Sequence, residues 1–348
     1  GRRMSRDQPF AINGHGCMPS GQKVMYKDGK EYVAANGYHM MIILRRDGEV
    51  YTPVAAAGGL SRLTTGDGAA RDVWDSDIGH HSYKNWYPDC FRGHAGDNFS
   101  WCDENNDGLV QPEEMRWVKT LSRGDVYAAG RQAEWMTFWG AGIAPDWSIY
   151  FSSFCRDAQI TFRLDPAGWT AAGAPRFEIS TAQEIIRTDK PNSINGLYVN
   201  AENKLFISYR YEIPENAKRG ADALACFTRD GKPLWRLAMA NPQMKHDIQA
   251  ENVTGEFTIP GLGNVLGTWL WLGNCRPYLV TSDGLYLGTL QEDTLLGPLA
   301  TWGESFRYYY QAPDGTPYLV NGANDAHHFL RIKGLEKVGT PSMVVLVA

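Results

Sequence analysis

Seven Asp-Gly pairs cut this chain of 348 residues into short β-rich runs: Asp28-Gly29, Asp47-Gly48, Asp67-Gly68, Asp107-Gly108, Asp230-Gly231, Asp283-Gly284 and Asp314-Gly315. Asp-Gly readily takes the positive φ angles of a tight hairpin, so most of these pairs predict two strands joined by a turn. Residues 24–54 predict strands near Lys30–Ala34, His39–Arg45 and Glu49–Pro53, and residues 139–168 predict strands near Ile149–Ser153 and Gln159–Leu164. Similar units recur in residues 194–237, 276–290 and 304–335. A recurrence of about 40–50 residues is the spacing of propeller blades. The chain is therefore expected to be all-β, a β-propeller of six or seven blades forming one domain over residues 1–348. A pair of β-sandwiches or a β-helix produces similar punctuation and stays open as an alternative.

Composition agrees with strands and turns, with 12 Trp, 17 Tyr and 37 Gly. A formal net charge of −5 leaves no electrostatic footprint for nucleic acid. No run approaches the roughly 20 apolar residues of a membrane-spanning helix. The chain opens GRRMSRDQPF and closes PSMVVLVA, which is expected of a piece of a longer, multidomain chain.

Residues 59–122 break the pattern as a long excursion rich in Gly, Asp, His and aromatic residues, the kind of segment that usually forms a functional face. Within it, Pro112–Leu121 starts with proline and two acids and sets Met115, Val118 and Leu121 at helical spacing, predicting a short helix. Thr181–Arg187 is a second short helical candidate. Six cysteines show no CxxC spacing, which excludes a zinc ribbon, a thioredoxin-like motif and covalent haem attachment. Cys90 and Cys102 either pair as a disulfide or are two idle thiols.

Residues 103–114, DENNDGLVQPEE, fit every constrained place of a twelve-residue EF-hand calcium loop. Ligands fall at Asp103, Asn105, Asp107, the Leu109 carbonyl, Gln111 and Glu114, with Gly108 at the sharp turn and apolar Val110 after it. The alternative is a solvated Asx-turn followed by a helix cap. Upstream, Asn98–Cys102 has the look of a strand or loop instead of an entering helix, and no second loop completes a pair. A solitary site of this kind pins a loop and does not switch a sensor.

The stretches WCDENNDGLVQPEE, TSDGLYLGTLQED and GESF…PDGTPYLVNGANDAHHFLRIKGL resemble secreted or envelope β-propeller proteins of planctomycete-type bacteria, with an embedded single dockerin-like calcium loop. The resemblance runs discontinuously from about residue 20 to 337 and implies architecture and an exterior, periplasmic or cell-envelope location. It leaves activity open, because fold does not specify function.

Eight histidines lack HExxH or comparable spacing. His80 and His81 sit in the excursion beside Trp86 and Tyr87, His246 lies in MKHDIQAEN, and His327 and His328 lie in NGANDAHHF. Propeller loops from separate blades converge around the axis, so these residues can form one site. In that arrangement His81, His246 and His327 supply acid–base catalysis, and His80 and His328 are ligands for a second divalent metal. The bland alternative is hydrogen-bonded structural or surface histidine. Asp247 and Glu251 offer carboxylates for glycoside hydrolysis, or are turn and surface residues. Aromatic side chains match the C–H faces of sugars, and Trp86 and Tyr87 are the substrate-binding candidates. Trp74 and Trp101 lie in the same excursion, Trp135, Phe138 and Trp139 follow the expected helix, and Trp269 and Trp271 read as core. Phosphate-binding glycine loops and the GxSxG elbow are missing. The expectation is a calcium-stabilised propeller acting on carbohydrate as a glycoside hydrolase or polysaccharide lyase. Its rival is a non-catalytic propeller scaffold that binds glycan or protein.

Overall fold

The computed structural model describes residues 23–37, 40–59, 63–64, 70–71, 88–94, 97–119, 134–154, 159–188, 194–212, 220–238, 252–269, 278–290, 305–323 and 326–338. Among them the chain is a β-propeller: antiparallel sheets follow one another along the sequence, each packed face to face on the next. Sheet I has six strands in spatial order Lys23–Lys27, Lys30–Gly37, Met40–Asp47, Val50–Gly59, Asn98–Cys102 and Met115–Val118. Sheet II is formed by Glu134–Ile143, Ile149–Phe154, Gln159–Leu164 and Gln183–Thr188. Sheet III is formed by Ile194–Val199, Leu205–Glu212, Gly220–Phe227 and Pro233–Ala238.

Sheet IV (Asn252–Ile259, Gly263–Trp269, Tyr278–Thr281, Tyr286–Thr289) touches sheet V (Ser305–Gln311, Pro317–Ala323, Ala326–Arg331) through one parallel residue pair, Gly255 with Tyr309. The first strands of sheets II to V lie side by side and are the inner strands. The sequence spacing expects six or seven blades; the described residues form five such sheets.

Apolar clusters fill each gap between sheets. Met41, Ile43 and Ala55 of sheet I meet Ile143, Phe151 and Phe162 of sheet II. Tyr150 of sheet II packs with Leu197 and Ile207 of sheet III, and Phe206 and Leu224 of sheet III pack with Leu266 and Val280 of sheet IV. Phe257 and Val265 of sheet IV meet Tyr309 and Leu319 of sheet V. Sheet I is covered on both faces, since Met40, Ile42 and Leu44 enter a second cluster with Phe99, Trp101 and Met115 that Phe91, from the turn Asp89–Phe91, closes from outside the sheet. That is why MMIIL is an unbroken apolar run instead of an alternating one.

A five-residue turn recurs at Thr170, Thr228 and Thr281. In each copy the threonine N–H donates to the carbonyl four residues on, the glycine three residues on donates back to the threonine carbonyl, and the threonine hydroxyl accepts the N–H at the fourth position. Each copy is seated on the preceding sheet. Tyr32 Oη donates to the Gly173 carbonyl at 2.7 Å, and Trp235 Nε1 donates to the Ser282 carbonyl at 3.0 Å. At Gly231, with φ +82°, an added Cβ would lie 2.1 Å from the Ile185 carbonyl oxygen.

Several strands match the sequence expectation: Gln159–Leu164 and Asn98–Cys102 form as read, and every Asp-Gly pair among the described residues has its glycine at positive φ. Both helix expectations are overturned. Pro112–Glu114 makes one 3-10 turn, after which Met115–Val118 is a strand. Met115 pairs with Trp101 and Trp117 with Phe99, so alternate side chains enter the sheet I cluster and a period of two prevails over helical spacing. Ile179–Thr181 is likewise a 3-10 turn, followed by strand Gln183–Thr188. Cys90 and Cys102 are both free thiols: Cys102 belongs to the face of sheet I that meets sheet II, while Cys90 packs on the opposite face. Trp101 is 1% exposed and is core, not a sugar platform.

Gly231→Ala is expected to destabilise the protein by more than about 1 kcal/mol, through the positive φ and the collision with Ile185. Thermal denaturation against wild type measures it, and an unchanged transition would refute the seating of this turn.

Candidate functional site

Residues 103–114 connect the two outermost strands of sheet I. The loop is folded on its own amides: Asp103 Oδ1 accepts from Asp107 N and Oδ2 from Gly108 N, both at 3.1 Å, and Asp107 Oδ1 accepts from Leu109 N at 2.8 Å. Asn105 Oδ1 also accepts from Asp107 N. Asp103 is buried, which pushes its carboxyl upward against the backbone donors that hold it down. Gln111 Nε2 donates to Asp107 Oδ2 at 2.6 Å, while Gln111 Oε1 is buried without a hydrogen-bond partner.

Asp103, Asn105, Asp107 and that orphaned Gln111 oxygen fit a hard cation. Glu114 does not yet join them. Its Oε2 accepts from Trp101 Nε1 and its Oε1 from the Glu104 amide, each at 2.8 Å. Among the described residues no three His, Cys, Asp or Glu side chains stand together as a ready metal cluster.

The loop is tied to its surroundings by two arginines. Arg176, on the strand Pro175–Phe177, makes a two-pronged pair with Glu104, both contacts 2.7 Å. Buried Arg45 donates to both Asp47 carboxylate oxygens, to Asn106 Oδ1 and to the Ala172 carbonyl of the sheet II side. Its hydrogen bonds and charge hold the Asp47 carboxyl below the usual range. Burial pushes the Cys102 thiol up to about 12, so this cysteine is no nucleophile.

His80, His81, His246, Trp86 and Tyr87 lie outside the described residues. The segment bearing His80, His81, Trp86 and Tyr87 leaves sheet I after Gly59 and rejoins it at Asn98, which are register partners. His327 and His328 lie on the edge strand Ala326–Arg331, in register with Gly322 and Asn321. The residue before them, Ala326, pairs with Ala323, and Ala323 pairs with Ser305, the first residue of the inner strand of sheet V. That inner strand runs parallel to the one in sheet IV, whose first residue, Asn252, follows the connection bearing His246. The starts of both inner strands, and His327 with His328, are thus at one end of the sheets.

Sequence reasoning passed over two further arrangements. His94 stacks on Trp117 with ring centroids 3.8 Å apart and holds Asp97 Oδ2 at 2.9 Å from Nδ1. Between the inner strands, Lys23 Nζ donates to the carbonyls of Ile143 at 3.4 Å and Val199 at 3.3 Å. Nearby Glu256 accepts from the Ala201 amide at 2.9 Å, from Asn264 Nδ2 and from the Tyr198 hydroxyl. No local pattern marks the surroundings of Lys23, since they come from sheets I, II, III and IV.

No protein family matches the chain, and no curated protein matches it. Solved structures do. A Bacteroides uniformis protein named as a 6-phosphogluconolactonase aligns at 11% identity and TM-score 0.43, covering 92% of this chain and 82% of that one. A Trypanosoma rangeli sialidase aligns at 13% identity and TM-score 0.38, covering 95% and 56%. An engineered GH43 glycoside hydrolase with endo-xylanase and exo-arabinofuranosidase activity aligns at 13% and TM-score 0.36, covering 88% and 48%. The chain therefore spans about half the length of the sialidase and the GH43 enzyme. Among the described residues no helix is long and apolar enough to cross a membrane.

Asp47 has its pKa depressed, so its contribution to stability is present above the ordinary aspartate range and is lost as pH falls from that range through its lower folded value. Arg45→Met is expected to cost about 1–3 kcal/mol at neutral pH and to flatten that acid limb. Melting temperatures of both proteins across acidic pH decide it; parallel curves would refute the coupling.

Proposed function

We propose that this propeller acts on carbohydrate at the end of the sheets that carries its histidines, with a structural calcium ion held in the 103–114 loop. The observation that carries the reading is topological. The connection bearing His246 enters its inner strand at the end of the sheets where His327 and His328 begin their strand. The residues assigned to chemistry are His81, His246 and His327 as acid–base groups. Trp86 and Tyr87 are the sugar-stacking pair, and His80 and His328 are ligands for a second divalent ion.

A histidine of this kind protonates a leaving glycosidic oxygen in a hydrolase or removes the C5 proton of a uronate in a lyase. The resemblance to secreted and envelope propellers supports an extracellular, periplasmic or cell-envelope setting. Alanine at His81, His246 or His327 is expected to abolish glycan release while the melting temperature stays near wild type. Full turnover in all three variants would refute the assignment.

In the calcium loop, Asp103, Asn105, Asp107, Gln111, the Leu109 carbonyl and Glu114 would hold the ion, with Glu114 turning away from Trp101. Calcium added to chelator-treated protein is expected to raise the melting temperature, and Asp103→Ala to remove that response. Isothermal titration with calcium gives the direct check: no heat above dilution would leave the loop a self-capped turn.

A second reading, a non-catalytic glycan- or protein-binding scaffold, is favoured by a row across sheet I. There Tyr26 and Tyr51, 69% and 44% exposed, both donate their hydroxyls to Glu31, beside Arg46. Rings flanking a charged pair suit a sugar face and its hydroxyls.

A further inference from the structure

Glu114 completes the ligand spacing of the 103–114 loop, yet its carboxylate is engaged elsewhere. Its Oε2 accepts from Trp101 Nε1 and its Oε1 from the Glu104 amide, each at 2.8 Å, and the Gln111 amide adds a long bond of 3.5 Å to Oε2. Glu114 is 9% exposed and Trp101 is 1% exposed, so water competes little for this pairing. Asp103 and Asp107 are turned onto the loop's own amides. Among the described residues these carboxylates do not stand together as a metal cluster. Trp101 cannot follow Glu114 into the loop. Its strand, Asn98–Cys102, is paired on both sides, with Ala56 and Met115 as register partners, and its side chain belongs to the cluster of Ile42 and Phe99.

A calcium ion takes about six to eight oxygens at roughly 2.3–2.6 Å, and the glutamate at the last place of a twelve-residue loop gives two of them. To supply them Glu114 has to leave the indole, whose N–H only donates and which here has a charged acceptor, the stronger kind. Two states therefore compete for one side chain: ion-free with Glu114 on Trp101, and ion-filled with Glu114 on calcium. A bond made only in the ion-free state shifts the balance toward that state and weakens binding by its own worth. We propose that Trp101 is the gate of the calcium loop: it parks Glu114 while no ion is bound and so sets the calcium concentration at which the loop fills. The gate rests on the calcium reading of the loop given above and adds the residue that regulates it. A weakened site suits surroundings rich in calcium, where modules of this kind fill at about 10⁻⁴–10⁻³ M.

Isothermal titration of the chelator-treated whole protein with calcium chloride tests the gate on wild type, on Trp101→Phe, and on protein whose Trp101 is replaced by benzothienylalanine, which keeps the shape of the indole and lacks its N–H. Both replacements remove the parking bond from the ion-free state alone. Calcium is therefore expected to bind them about tenfold more tightly than wild type, the equivalent of one hydrogen bond of about 1.4 kcal/mol. The melting temperature gives a second readout: without calcium both replacements lower it, and added calcium raises it by more than in wild type. A purely structural Trp101 gives a lowered transition with equal or weaker calcium binding. That result overturns the gate and leaves the calcium loop in place. No heat of binding in wild type or in either replacement overturns the gate and the calcium reading together. If the Phe variant does not fold, the isosteric replacement still decides.

Discussion

The arrangement of the molecule depends on the seating of each sheet on the one before it. An isolated four-stranded antiparallel sheet has two faces and can solvate only one of them cheaply, so each blade needs neighbours. Here the apolar clusters supply that burial, and the recurring turn at Thr170, Thr228 and Thr281 supplies alignment. Each turn closes internally with its own three hydrogen bonds and so reaches the neighbouring sheet as a rigid plug. Tyr32, Ile185 and Trp235 are its seats. Because the turn leaves no room for a Cβ at Gly231, the contact specifies one register between sheets and not merely adhesion.

This serial packing separates the two ends of the sheets. At the ends of the inner strands of sheets II and III the carbonyls of Ile143 and Val199 converge on one lysine drawn from sheet I. At the start of the inner strand of sheet IV the connection with His246 enters, and at that same end the strand of sheet V bearing His327 and His328 begins. Short turns build the framework and long connections are free to carry chemistry, the usual division of labour in a rigid scaffold. The 103–114 loop stands apart from both, at the outer edge of sheet I. Arg45 and Arg176 clamp it to the sheet II side through Asn106 and Glu104. Order gained in that loop is thereby passed to the boundary between the first two sheets.

Local patterns were legible wherever one residue type has one geometric use. The Asp-Gly pairs placed hairpins, and the spacing of Asp103, Asn105, Asp107 and Gly108 marked a loop that does fold with its carboxylates turned inward. The spacing of Met115, Val118 and Leu121 misled, because a helix and a strand both tolerate that composition. Pairing with Asn98–Cys102 then decided in favour of the strand. The nearness of Cys90 and Cys102 in sequence misled for a similar reason, since a sheet one residue thick lies between their side chains.

By itself the sequence determined the all-β character, the repeating blade grammar, the hairpin turns and the ligand spacing of the 103–114 loop. All of these follow from φ preferences and spacing within a few residues. Tertiary structure alone decided how many strands sheet I takes, that the turns headed by Thr170, Thr228 and Thr281 seat on the preceding sheet, and that Lys23 reaches the carbonyls of Ile143 and Val199. Those contacts join residues separated by scores to hundreds of positions, and no local preference encodes a distance of that kind. Burial completed them by bringing the sheets face to face.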